Sequence, residues 1–103
     1  MKKNLNSYEF MHEFIKRNRD DYSYFGYEAL FDYYDAVENY DLDVIAICCE
    51  VSEFDKKDIL NNYSYLVDEE LDKDEQFSDL IKQLEFKTNI VKLDNGSYLV
   101  WDF

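Results

Sequence analysis

The sequence predicts a single α+β domain over residues 1–103, in which a small antiparallel three-stranded sheet packs with three to four helices. One strand falls near residues 43–51, and the other two form a C-terminal hairpin over 88–103. Three observations lead there. Apolar residues recur at helical spacing between Tyr8 and Val37, the run DVIAICCEV is apolar at nearly every position, and in the tail TNIVKLDNGSYLVWDF the pair Asn95-Gly96 fits a tight hairpin turn. A chain of 103 residues has room for one core and not for two. Its aromatic content of 18% is far above that of disordered acidic chains, so it should fold.

Each element has its own signal. From Ser7 to Arg19, the residues Tyr8, Phe10, Met11, Phe14 and Ile15 share a helical stripe. Ser7 is the expected N-cap, and Lys16, Arg17 and Arg19 lie near the C-terminal end, where the helix dipole favours cations. After the polar and aromatic passage 20–26, Tyr27, Leu30, Phe31, Tyr34 and Val37 fall at i, i+3, i+4, i+7 and i+10. They predict a second helix ending near Tyr40.

Residues 43–51 are β-branched-rich and too few for a helix of average length, so they are expected to form a central strand covered on both faces. Cys48 and Cys49 would then point to opposite faces as buried free thiols. Ser52 or Asp55 is expected to cap a short helix with Ile59, Leu60 and Tyr63, and Asp74 another with Phe77, Leu80, Ile81 and Leu84. The acidic passage 68–75 joins them. Asn95-Gly96 fits a two-residue type I′ turn, which would pair Asp94 with Ser97, Lys92 with Leu99 and Ile90 with Trp101.

The formal charge of −13 is concentrated: residues 1–19 carry +3, residues 20–75 carry −15 and residues 76–103 carry −1. From Asp20 to Asp55 there are eleven acidic residues and no Lys or Arg. Such a field repels nucleic acid and anionic membrane and attracts basic proteins and cations. Direct nucleic-acid or membrane binding is therefore not expected. The start MKKNLNSYEF turns polar before a signal-peptide core could form, and no run has the length of a membrane span, so the expected compartment is the cytoplasm, that of a host bacterium.

On the second helix Glu28, Asp32, Asp35 and Asn39 lie at i, i+4, i+7 and i+11, opposite the apolar stripe. Successive members rise about 4.5 to 6 Å, close to the spacing of phosphates along a nucleic-acid strand. Every amphipathic helix has a polar outer face, but a solvated face normally includes i,i+4 pairs of opposite charge, and this one does not. The candidate partner-binding set therefore takes in Asp20, Asp21, Glu28, Asp32, Asp35, Glu38, Asp41, Asp43, Glu50, Glu53 and Asp55 of the block, with Asp68, Glu69, Glu70 and Asp72 as a second cluster that the fold could bring alongside. Tyr33 and Tyr40 join it. Like Tyr22 and Tyr24 they stand off the main stripe, where a tyrosine either packs under a neighbouring element or offers contact area with a polar tip.

Other chemistries lack support. Counting an EF-hand loop from Asp68 puts Lys73 at the position that requires glycine, so no dedicated metal site or cofactor is expected. The sole histidine, His12, has no second His for zinc or a triad. Negative surroundings raise a thiol pKa and so disfavour Cys48 and Cys49 as nucleophiles. No Gly-rich phosphate loop is present, and the expectation is a protein that is not an enzyme.

The run LDVIAICCEVSEF, residues 42–54, with the ending NGSYLVWDF, resembles a group of small acidic proteins of phages and other mobile elements. The resemblance implies an α+β fold and a mobile-element origin, and it carries no functional residue, since the shared positions are mostly core. In size and charge alone the chain is similar to anti-CRISPR and anti-restriction proteins that imitate nucleic acid. The expected function is a phage or mobile-element inhibitor of a host defence nucleoprotein, anti-CRISPR first and anti-restriction next, whose acidic and tyrosine-rich surface fills a basic groove. Its partner would be a nucleic-acid-binding protein such as a Cas effector or a restriction enzyme. The alternative is an acidic adaptor or regulator that binds a basic protein without imitating nucleic acid.

Overall fold

The computed structural model describes residues 4–37 and 40–103. Helix α1, Ser7–Ile15, begins with a reciprocal cap one residue earlier than expected: Glu9 N–H donates to Asn6 Oδ1 at 2.8 Å, and Asn6 N–H donates to Glu9 Oε1 at 3.1 Å. It ends before Arg19 because Asn18 turns left-handed at φ 57 and Arg19 N–H closes on the Phe14 carbonyl at 2.9 Å. Helix α2, Tyr24–Asp35, starts at the Ser23 cap, whose hydroxyl accepts from Gly26 N–H at 3.1 Å. That is nearly a turn before the expected start. Tyr27, Leu30 and Tyr34 of its stripe are buried, and Val37, beyond the helix, is exposed. Glu38 and Asn39, the latter the last member of the expected polar row, lie outside the described residues.

The expected strand at 43–51 is a helix over most of its length. Helix α3 spans Val44–Glu50, and strand β1, Val51–Phe54, follows it directly. Asp43 starts the helix by accepting from Ala46 N–H at 3.0 Å. Val44 and Ile47 are buried one turn apart while Ile45 is 55% exposed, so the apolar run covers one face and not two. The thiols change with it: Cys48 is half-buried and Cys49 exposed, both free.

Asp55 caps helix α4, Lys56–Asn62, by accepting from Asp58 N–H at 2.8 Å. A 3-10 turn at Ser64–Leu66 leads to helix α5, Lys73–Lys87, whose N-cap is Asp72 and not Asp74. Asp74 and Glu75 occupy its first turn, where carboxylates oppose the positive helix end. Among the described residues five α-helices thus stand where three to four were expected.

Strands β2, Ile90–Lys92, and β3, Tyr98–Trp101, complete an antiparallel sheet of order β1-β3-β2. The hairpin register differs from the expected one by one residue: Ile90 pairs with Val100, Val91 with Leu99 and Lys92 with Tyr98. Gly96 alone in this loop has positive φ, 88°, while its N–H bonds the Leu93 carbonyl at 3.1 Å and Leu93 N–H bonds Ser97 at 2.8 Å. This is a three-residue loop with a glycine bulge. A two-residue turn would have set Lys92 opposite Leu99, in the core, and the longer loop sends Val91 and Leu93 there instead.

The period of two divides the sheet between two cores. Val51, Leu99 and Trp101 face Phe10 and Phe14 of α1, Tyr27, Leu30 and Tyr34 of α2, and Val44 and Ile47 of α3. Phe54, Ile90 and Tyr98 face Ile59 of α4 and Leu80 and Leu84 of α5. The result is three layers, with the sheet between α1, α2 and α3 on one side and α4 and α5 on the other.

Candidate acidic interface

Helix α2 buries Tyr27, Leu30 and Tyr34 and leaves Glu28, Asp32 and Asp35 exposed on the opposite side, as the spacing predicts. Beyond that row the fold adds what no linear pattern could place. The hairpin docks beside α2, so Lys92 and Asp94 line a shallow hollow of about 140 Å³ with Phe25, Glu28 and Asp32. Asp94 extends the acidic face, and Lys92 places a cation within it. Lys16 and Arg17, by contrast, both hold Glu13, at 3.2 and 2.6 Å, outside the acidic block. These bonds keep the Glu13 carboxyl below the usual glutamate range.

Several of the candidate carboxylates have local structural work. Asp43 and Asp55 cap α3 and α4. Glu53 Oε1 accepts from Ser23 N–H at 2.9 Å and from the Ser23 hydroxyl at 3.0 Å, binding β1 to the start of α2. Asp20 accepts from the Tyr27 hydroxyl at 2.9 Å, and Asp68 from Glu70 N–H at 3.0 Å. Asp72 stands at the N-cap position of α5, but its carboxylate makes no capping hydrogen bond there. The engaged carboxylates are still charged, but moving one costs local structure.

The two acidic clusters do not merge. Asp68, Glu69, Glu70 and Asp72 belong to the α4–α5 layer, whereas Glu28, Asp32 and Asp35 belong to the α2 layer across the sheet. A third group lies around α3. There Asp41 and Asp43 line an open hollow of about 480 Å³ with Glu13, Arg17 and the exposed Ile45. Glu50 lies at the far end of α3, in another hollow shared with Asp102, Lys87 and Trp101.

The tyrosines divide. Tyr22 is a core residue whose hydroxyl donates to the Val51 carbonyl at 2.6 Å, so it is not a contact surface. Tyr40 is half-buried and stacks on Tyr34 with ring centroids 4.8 Å apart, which also makes it a packing residue in part. Burial raises its hydroxyl pKa, and the nearby Asp43 and Glu50 charges act in the same direction. Tyr33 packs on Trp101 at 4.8 Å, accepts from Asn89 Nδ2 at 3.2 Å and is 37% exposed. Tyr24 is 61% exposed, and its hydroxyl is pushed up by a hydrogen bond to the Glu28 carboxylate.

The thiols sit in a negative setting. Cys48 is raised to about 11 by burial first and then by its hydrogen bond to Asp21 and that residue's charge, which keeps it protonated at neutral pH. His12 is exposed and stacked against Tyr8, with ring centroids 6.2 Å apart. Among the described residues, no group of three or more His, Cys, Asp or Glu is placed to hold a metal ion, and no helix is long and apolar enough to cross a membrane. Comparison of the chain with protein-family models, with curated proteins and with solved structures gives no match.

Proposed function

We propose that the protein is a stoichiometric inhibitor that blocks the nucleic-acid groove of a basic defence protein, a Cas effector before a restriction enzyme, with the outer face of α2 as its centre. The observation that carries this reading is the exposed row Glu28, Asp32 and Asp35 on a helix whose opposite side is anchored in the core. A rigid carboxylate row at helical rise offers Arg and Lys the partners that phosphates otherwise supply. Asp94 of the hairpin and the half-exposed Tyr33 extend the surface. Origin in a phage or other mobile element rests on the resemblance of residues 42–54 and of the tail.

The test is competition. With a candidate effector in hand, added guide RNA or target DNA should displace the protein in proportion to the nucleic acid's own affinity, and binding should weaken with salt. Simultaneous and independent binding of protein and nucleic acid would overturn mimicry. A second reading, an acidic adaptor that does not imitate nucleic acid, is favoured by Lys92, whose charge interrupts the acidic face beside Glu28 and Asp32.

A further inference from the structure

The first turns of α1 and α2 enclose a small cleft of about 120 Å³, lined by Ser7, Tyr8, Met11, Tyr24, Tyr27 and Glu28. Tyr8 is 68% and Tyr24 61% exposed where they line the cleft, and the Tyr8 ring also stacks on His12. Tyr27 is buried and tied through its hydroxyl to Asp20, which gives the cleft a fixed base. Glu28 is the one charged residue among those that line it.

We propose that this cleft binds an arginine side chain of a partner, with the guanidinium against the Tyr8 and Tyr24 rings and paired with the Glu28 carboxylate. The inference rests on the reading of α2 as an interface to a basic protein and names the chemistry of its anchor. Aromatic faces attract cations through the ring quadrupole, and a planar guanidinium can stack on them while its N–H groups reach a carboxylate. The volume of the cleft is that of about four liquid waters, the scale of a side-chain head group and not of a drug-sized ligand. Tyr24 and Glu28 stand one helical turn apart on α2, so the ring and the carboxylate line the same side of the cleft.

The probe is N-acetyl-arginine amide, titrated into the ¹⁵N-labelled full chain, with the neutral citrulline derivative as its isostere. The expected result is saturable shifts centred on Ser7, Met11, Tyr24 and Glu28 with the arginine probe, and weaker, unsaturated shifts with citrulline. Glu28→Gln and, separately, Tyr24→Ala should each weaken the arginine probe by about fivefold or more, while Glu85→Gln on the exposed side of α5 leaves it unchanged. Both altered side chains are exposed, so the fold should persist. Equal response to citrulline, or shifts spread evenly over all acidic residues, would overturn the proposal. Because the titration contains no partner, failure of the competition test leaves a positive result here standing as an arginine site of an adaptor.

Discussion

Glu53 on β1 and Ser23 at the N-terminus of α2 are joined by two hydrogen bonds to one carboxylate oxygen, and that oxygen occupies the space above Gly26. A Cβ built on Gly26 would overlap it and would also come within 3.1 Å of the Tyr22 Cβ. The acid thus serves the fold as well as the net charge. Gly26→Ala should therefore destabilise the protein, by on the order of 1 kcal/mol after the gain in helix propensity is set against the lost hydrogen bonds. In a Glu53→Ala background the same change should cost less, a coupling that a urea denaturation cycle reads directly.

Gly96 carries the hairpin at φ 88 with open space around its Cα. Steric contact is thus absent from the cost of substitution there, and backbone strain remains. Gly96→Val is expected to lose about 1 kcal/mol or more, and Gly96→Asn less, because Asn tolerates the left-handed region. An unchanged denaturation midpoint for Val would contradict the bulged loop.

Cys49 is exposed and Cys48 half-buried with its pKa near 11. Native protein at pH 8 should show one fast and one slow thiol toward a labelling reagent, and Cys49→Ser should abolish the fast phase. Denaturant should make the remaining thiol fast.

Alkaline stability follows from the same burial. Cys48 rises from 9.0 to about 11 and Tyr34 from 10.0 to about 12, while Tyr22 and Tyr27 are also raised, with burial the first cause in each case. In the folded state these groups keep protons that the unfolded chain releases, so the folded state binds more protons and stability falls as pH rises. The contribution is complete below pH 9 and lost progressively from 9 to 12, which thermal unfolding across that range should show.

The α2 row can be tested without touching the core. Glu28→Gln, Asp32→Asn and Asp35→Asn together should leave stability within about 0.5 kcal/mol for each change and weaken partner binding by about tenfold or more. Intact binding would move the interface to Asp41 and Glu50 around α3 or to the cluster at Asp68, Glu69 and Glu70.

By itself the sequence determined the fold class, the buried stripe Tyr27, Leu30 and Tyr34, the pair Leu80 and Leu84, and the exposure of Glu28, Asp32 and Asp35. Those follow from a period of 3.6 residues, which places a side chain on a known face before anything packs. Tertiary structure alone decided the rest. Residues 44–49 are apolar at every position and so have no period to read, and only packing chose to bury Val44 and Ile47 and expose Ile45. The hairpin register turned on whether Lys92 or Val91 would meet Leu99 in the core, a choice that depends on the layer covering that face of the sheet. The same packing set Asp94 and Lys92 beside the acidic row and kept the cluster at 68–72 in the opposite layer, because distance across a sheet is a property of the assembled layers and not of the chain.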